Sequence, residues 1–514
     1  MNRSISALLS FIMVLVLLGA HHTVQGQSII YNRFDVLGRR SATAFDSSRV
    51  AFERAVLYKE KSSSEDYFSW LPLYSHTSFN SDYARGVYDG YFWQGAGWNQ
   101  TFSTGVQGRW GNLEYTFAPQ LVYSQNKDYH LRKSYGDEPE YQNRFSYPID
   151  YVMQYGNGSV TDIYFGQSEI AYSKYNARLS LSTQNTIWGP VIFNPAMMSN
   201  HANGFPYVGI GTDKPWNTRA GLIEIQWQFG ITEESDYFND DPKDDEVITN
   251  GFVMGYQPSF IPGFSVSLQR SLRLQLQDAD DWSDYIMLFR DFARRGQRNA
   301  RGEDNETADQ IFSVGAEYRV PSNNFKIYFE WIRGDFASDI FDFLTQLEHN
   351  AGYTIGIAKD FYLESGSRVR VNYEHANLAV WETARIRNSG SLYEHHHVRQ
   401  GHTNNGQVLG AAIGPGSSFH ALSVGYNIGH KSILFEYFRT RYNDDEFYLY
   451  LFDEIGNYQD IEHYFGVHWK SRVSNNLEYQ IGGSFAVRDN YLFKPDNVHE
   501  NVHLQMILRY HFMK

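Results

Sequence analysis

The chain has 514 residues with 44 Lys and Arg against 58 Asp and Glu, a formal net charge of −14, and no cysteine. Without cysteine there is neither a structural disulfide nor a lipid anchor on an N-terminal cysteine, and the acidic balance argues against nucleic acid, whose phosphates need a basic stripe. The chain is 17% aromatic, with 38 Tyr, 36 Phe and 11 Trp, and no Pro- or Ser-rich linker divides it, so one large domain is expected.

Residues 1–26 carry Arg3, an apolar run from Leu8 to Leu18, and small residues up to Gly26, which reads as a cleavable secretory signal. Beyond it no stretch of about 18 apolar residues occurs, which excludes a transmembrane helix. The mean hydropathy of −0.48 is compatible with a barrel, because strands that face lipid on one side only average to a polar value. In the segment 27–84, Asp46, Ser47 and Ser48 precede Val50, Phe52, Ala55 and Val56 in the order of a capped amphipathic helix, and Trp70 to Leu73 with Pro72 is expected to end regular structure. This segment is read as a mostly helical periplasmic or plugging unit.

From residue 85 to 514 the period is two. Leu113, Tyr115, Phe117, Leu121 and Tyr123 alternate with Glu114, Thr116, Gln120 and Ser124. Ile223, Ile225, Trp227 and Phe229 alternate with Glu224, Gln226 and Gln228, and Ile327, Phe329 and Trp331 with Lys326, Tyr328 and Glu330. Val369, Val371 and Tyr373 likewise alternate with Arg368, Arg370, Asn372 and Glu374. A sandwich core has no room for those charges, whereas a wide lumen accepts them. Tight turns at Gly111, Lys174 to Asn176, Asp213 to Trp216, Ile261 to Gly263, Ser322 to Asn324, Leu363 to Gly366, Gly429 and Val473 to Asn476 alternate with longer polar connections. With an ascending strand over Arg85 to Trp93, the expected fold is all-β: a transmembrane antiparallel β-barrel of about 18 strands with both termini in the periplasm. The final strand, with Val502, Leu504, Met506, Leu508, Tyr510 and Phe512 outward, has the aromatic-ended form that suits the barrel-insertion machinery.

Within the connection 187–204 and its flanks, Trp188, Asn194, Asn200, His201, Asn203 and Phe205 offer indole, amide and ring faces that suit a sugar. The competing reading is a self-packed loop that shapes the barrel. Arg290, Arg294, Arg295, Arg298 and Arg301 lie in one connection, arranged to clasp carboxylates or phosphates of an acidic polymer, or else to solubilise the loop and touch lipopolysaccharide. Tyr393, His395 and His397 lie in an imidazole-rich stretch where only His395 and His397 would share a face, so a metal there is the lesser reading. The run from Glu233 to Glu246 holds eight carboxylates without the spacing of a calcium loop and reads as a solvated charge run. Neither a nucleophile elbow, a His-Glu-x-x-His pair nor a phosphate-binding loop occurs. No cofactor, resident metal or catalysis is therefore expected.

The chain resembles the Wzi family of capsule assembly proteins. The resemblance rests on Asp89, Gly90, Trp93, Gln94, Gly95 and Gly97, on Pro119 and Asn126, on Gly166, Gln167 and Ser168, and on the text from Trp188 to Pro206. Gly221 and Glu224, and a stretch from Tyr393 and His395 through Gly401, Gly406, Gly410 and Gly414 to Ser418, complete it. The resemblance implies an eighteen-stranded barrel in the outer membrane of a Gram-negative bacterium, closed by a periplasmic helical bundle. It further implies a lectin that holds capsular or other surface polysaccharide. The competing class is a pore or transporter, for which Arg178, Arg368, Arg370, Glu224, Glu317, Glu330 and Glu374 would line the channel.

Overall fold

A computed structural model describes residues 29, 31–42, 50–56, 66–131, 149–239, 241–280, 282–287, 307–334, 340–381, 390–448 and 458–512. Eighteen antiparallel strands close into one barrel. In chain order the first are β1 (Tyr67–Asn80), β2 (Gly97–Trp110) and β3, which is broken into Leu113–Phe117 and Gln120–Ser124. Next come β4, broken into Val160–Tyr164 and Glu169–Lys174, β5 (Ala177–Ser182), β6, broken into Tyr207–Thr212 and Trp216–Thr218, and β7 (Gly221–Glu233). The remainder are β8 (Glu246–Pro258), β9 (Phe264–Gln275), β10 (Asp309–Val320), β11 (Phe325–Gly334), β12 (Ala351–Tyr362) and β13 (Arg368–Asn377). They are followed by β14 (Ser418–Ile428), β15 (Lys431–Arg441), β16 (Ile461–Arg472), β17 (Leu477–Asp489) and β18 (His499–Tyr510). Closure is made by β1 against β18, from Leu73 opposite Tyr510 to Asn80 opposite His503.

The dyad alternation sets the two faces. Leu121, Ile327, Phe329, Ile357, Phe435, Phe465 and Leu504 are exposed outward, while Glu224, Gln228, Glu330, Glu374 and Gln505 are buried inward. An outward apolar belt over closed strands is the arrangement that lets backbone polar groups cross lipid fully paired.

Three expectations for the N-terminal part give way. The first wall strand is not Arg85–Trp93 but β1, so the barrel starts at Tyr67 rather than at 85, and residues 81–96 fold inward as an irregular connection. Pro72, expected to end regular structure, lies inside β1 where the register shifts between Leu71 and Tyr74, a bulge in which a missing N–H costs no ladder bond. The helix expected after Asp46 is also displaced: Phe52–Arg54 is a short strand paired with Thr186–Trp188, and the helix α1 spans Arg33–Ala42. Asn32 caps it, its Oδ1 accepting from the N–H of Phe34 (3.0 Å) and Asp35 (3.2 Å), while Asp35 accepts in return from the Tyr31 N–H (3.0 Å). Among the described residues this ten-residue helix is the helical content of the segment 27–84, part of which lies outside them.

The hydrophobic core lies inside the lumen. Trp188, Val191, Met197, Met198 and Ala202 of the connection between β5 and β6 pack with Phe52, with Leu378, Leu392 and Val408 of the extracellular connections, and with inward Val253, Ile332 and Ala358. The wall around β3 to β6 is less regular than the rest. Gly166, at φ +61°, bends β4, and a Cβ there would sit 2.2 Å from the Ala118 carbonyl oxygen beside Pro119, where β3 is also broken.

Candidate functional site

The loop 183–206 descends from the top of β5 into the barrel and is gripped by lumen carboxylates. Glu374 accepts hydrogen bonds from the N–H groups of Ile192 (3.1 Å), Phe193 (2.9 Å) and Asn194 (2.8 Å) and from the Tyr328 hydroxyl (2.8 Å). Glu330 accepts from the Ala196 N–H (3.1 Å), the Ser313 hydroxyl (2.9 Å) and the Gln269 amide (2.9 Å). Glu224 accepts from the N–H groups of Val50 (2.9 Å) and Ala51 (2.8 Å), which holds the N-terminal segment against the same loop. From the periplasmic side Arg40 donates to the carbonyls of Gly189, Val191 and Ile187, and Arg33 donates to both Glu436 oxygens. These charges therefore act as anchors for backbone, each buried carboxylate being surrounded by donors as burial requires. Arg178 is likewise spent on ion pairs, with Glu114, Glu169 and Asp213. The expected channel wall of Glu224, Glu330 and Glu374 is in fact the seat of a plug.

Beside this plug a cavity of about 1470 Å³ runs along β1 to β7, from Tyr67, Arg109 and Leu113 near the periplasmic turn after β2 to Glu233 and Tyr237 at the extracellular end, where its inner part forms a chamber. Tyr91 and Trp93 come from the 81–96 connection, Tyr155 from the loop after β3, Tyr164 from β4, Phe205 from the plug and Tyr237 from the turn after β7. The rings meet edge to face: Trp93 with Tyr155 at 4.9 Å, Tyr155 with Tyr237 at 5.9 Å, and Tyr91 with Tyr164 tilted at 5.0 Å. Asn203 hydrogen-bonds Tyr164 through its side chain, and its carbonyl accepts from Asn404 (3.1 Å). The polar lining is acidic and amide-rich: Asp162, Glu233, Glu234, Asp236, Asn203, Asn404 and Gln407.

Three loops are tied at the rim by buried Asp150, which accepts from the Ser235 N–H (2.7 Å), the Ser235 hydroxyl (2.6 Å) and the Gly406 N–H (3.0 Å). Single oxygens of Glu234, Asp244 and Asp245 lie within 4.8 Å of one another, an oxygen-only set of the kind that suits a hard divalent cation. Burial, with Asp150, Asp244 and Asp245 nearby, pushes the Glu234 carboxyl up to about 9.

The residues singled out from sequence divide into three groups. Trp188, Asn194, Asn200, His201 and Tyr393 are buried in the plug. The Trp188 indole donates to Thr186 (3.0 Å), Asn194 accepts from the Tyr88 hydroxyl (2.8 Å), Asn200 donates to the Tyr88 carbonyl (2.6 Å), and the Tyr393 hydroxyl donates to the Ala196 carbonyl (2.6 Å). Tyr88 N–H points at the His201 ring. Asn203 and Phe205 line the chamber. His395 and His397 stand in an irregular connection rather than a strand, and they do not converge: His395 Nδ1 accepts from the N–H of His397 and Val398, while His397 pairs with Asp278 at 2.7 Å. Arg290, Arg294, Arg295, Arg298 and Arg301 lie outside the described residues. Sequence reasoning missed Tyr91, Tyr155, Tyr164 and Tyr237; aromatic residues set in long polar connections were the available signal.

A family model described as "Capsule assembly protein Wzi" matches residues 115–502. Among solved structures, the chain is similar to Wzi of Escherichia coli, described as an outer-membrane protein involved in group 1 capsule assembly and a carbohydrate-binding β-barrel. The TM-score is 0.59 at 11% identity, covering 95% of this chain and 100% of the other. Acinetobacter baumannii OccAB2 (TM-score 0.43, 10% identity, 87% of this chain and 98% of that one) and Pseudomonas aeruginosa OprD (0.42, 10%, 87% and 94%) are more distant. No curated protein matches. With a family model over three quarters of its length and an eighteen-stranded fold shared with the Escherichia coli barrel, the chain belongs to the Wzi family of capsule assembly proteins.

Proposed function

We propose that this barrel sits in the outer membrane and holds capsular or related surface polysaccharide in the chamber beside its plug, as a binding protein rather than an enzyme. The observation that carries the reading is the lining itself. Buried and half-buried aromatic rings stand beside amides and carboxylates in the inner part of the cavity, and pyranoses present apolar faces and hydroxyl edges that such groups complement. The plug supports a binding role over a pore, because the lumen carboxylates are turned onto loop backbone. Asn203 and Phe205 are the sequence-derived residues retained as direct contacts. Trp188, Asn194, Asn200, His201 and Tyr393 would act by holding the loop that carries them. The acidic lining favours neutral saccharides, or acidic ones with a bridging cation. Outer-membrane lipid and lipopolysaccharide around the belt, and the insertion machinery reading the last strand, complete the partners this reading carries.

The test is equilibrium binding of defined capsular fragments to the purified barrel and to Trp93→Ala and Tyr237→Ala. Each substitution is expected to weaken binding by about tenfold, the loss of one aromatic anchor. No binding to any fragment, or unchanged affinity in both variants, would end the proposal.

A further inference from the structure

The wall is incomplete on the side of the chamber. β5 stops at Ser182 and β6 begins at Tyr207, so both strands build only the periplasmic half of the wall, and the chain between them lies in the lumen. Thr183 still donates to the Ser168 carbonyl and Ile231 to the Pro206 carbonyl, which marks the top of the continuous ladder. Above that line, among the described residues, the Val160–Tyr164 half of β4 pairs with β3 alone, whereas the end of β7 is covered by the extracellular connection after β13: Asn405 donates to the Glu233 carbonyl (2.8 Å) and the Glu233 N–H donates to Asn404 Oδ1 (3.0 Å). Two absent strand halves correspond to roughly 10 Å of missing wall.

The chamber runs through this interruption. Its lining mixes inward residues with residues of the lipid face: Ile163 and Phe165 on β4, Leu181 on β5 and Ile231 on β7. The first three are 53%, 69% and 62% exposed and continue the outward belt of Leu121 and Ile170. The opening thus has an apolar outer rim at the membrane and an aromatic and polar interior.

The edge of β4 away from β3 narrows what can occupy it: among the described residues no strand follows it, and Asp162 Oδ1 accepts from the Ile163 N–H (2.7 Å). Backbone N–H and C=O groups facing hydrocarbon alone are not tolerated, so an acyl chain by itself leaves that edge unsatisfied. A purely polar glycan, in turn, leaves the apolar rim against its hydroxyls. An amphiphile with a sugar head and an acyl tail satisfies both. We infer that this interruption is a side entrance through which a glycolipid of the outer leaflet reaches the chamber. Its saccharide lies against the aromatic interior, and its acyl chain passes out between Ile163, Phe165, Leu181 and Ile231. The inference rests on the saccharide-binding reading for its head group and adds to it the requirement for an acyl chain.

The experiment uses the full barrel in nanodiscs with p-benzoylphenylalanine placed at position 165, and a control with the same probe at 422, on the lipid face of β14. Lipopolysaccharide of the lipid A and core type and phosphatidylethanolamine are offered at equal mole fraction with magnesium present, because the lipid A phosphates meet an acidic lining. Photocapture of the glycolipid at position 165 is expected to exceed that of the phospholipid by about tenfold, with no such preference at 422. Leu181→Arg with Ile231→Arg is expected to abolish the preference, and the heat-modifiable gel mobility of the barrel reports its fold. Equal capture of the two lipids at position 165, or a preference that survives the double substitution, overturns the side entrance. If the unaltered barrel ignores deacylated polysaccharide yet captures the glycolipid selectively at 165, the polysaccharide reading falls and the side entrance stands.

Discussion

The barrel has two unlike sectors. From β7 round to β18 the strands are ten to thirteen residues long, their ladders are unbroken, and their lumen carboxylates Glu330 and Glu374 grip the plug. From β3 to β6 the strands are short or broken, their inward ion pairs cluster near the periplasmic turns around Arg178, and the extracellular half gives way to the chamber. The difference teaches that a barrel can give up wall in one sector provided its neighbours hold a loop in the lumen to replace it: the backbone that leaves the sheet at Thr183 is paired again on Glu374 and Glu330.

The largest test of this division is Glu374→Ala. It strands three buried N–H groups and the Tyr328 hydroxyl, at a cost of about 3–5 kcal/mol in the seating of the plug. Steady conductance in planar bilayers is expected where the unaltered protein gives little; an unchanged trace would mean that the plug does not depend on this carboxylate. Arg178→Ala sharpens the contrast from the other sector. It leaves Glu114, Glu169 and Asp213 without their shared guanidinium and is expected to destabilise the barrel by about 3 kcal/mol, read as a lower unfolding temperature, without opening the lumen. Conductance equal to that of the Glu374 variant would erase the distinction.

A smaller effect is expected at the N-terminal segment. Asn32→Ala removes the cap of α1 and should cost about 1 kcal/mol, seen as faster proteolysis of the segment with saccharide affinity unchanged. The smallest concerns pH. The Glu234 carboxyl is raised in the folded protein, so its protonated form favours the folded rim. That contribution is complete below the ordinary glutamate range and is lost as pH rises through about 9. Protease sensitivity of the turn after β7 should therefore grow from neutral to alkaline pH, and Glu234→Gln should flatten the profile; an unaltered slope in that variant would assign the effect elsewhere.

Reading the residues in order gave the strand number and the two faces with few errors, since outward Leu121 and inward Glu330 are fixed by a period of two that needs no tertiary information. The errors fell where local and global signals conflict. Pro72 looks like a terminator until its bulge is seen, and Val50 to Val56 has helical spacing until Phe52–Arg54 is seen paired with Thr186–Trp188, while Asp46 to Ser48 lie outside the described residues. The lumen charges were legible as inward, but water was the expected partner, because the backbone amides that take its place come from loops as distant in sequence as Asn194 is from Glu374.

The sequence by itself determined a closed antiparallel barrel and which side chains meet lipid, because alternation, turn chemistry and the lack of a long apolar run are local properties. Only the tertiary structure decided that the connection after β5 descends into the lumen, that Tyr91, Trp93, Tyr155, Tyr164 and Tyr237 share one chamber, and that the strands beside them stop at Ser182 and resume at Tyr207. Those facts depend on which distant groups satisfy buried backbone and carboxylates, and no spacing along the chain encodes that pairing.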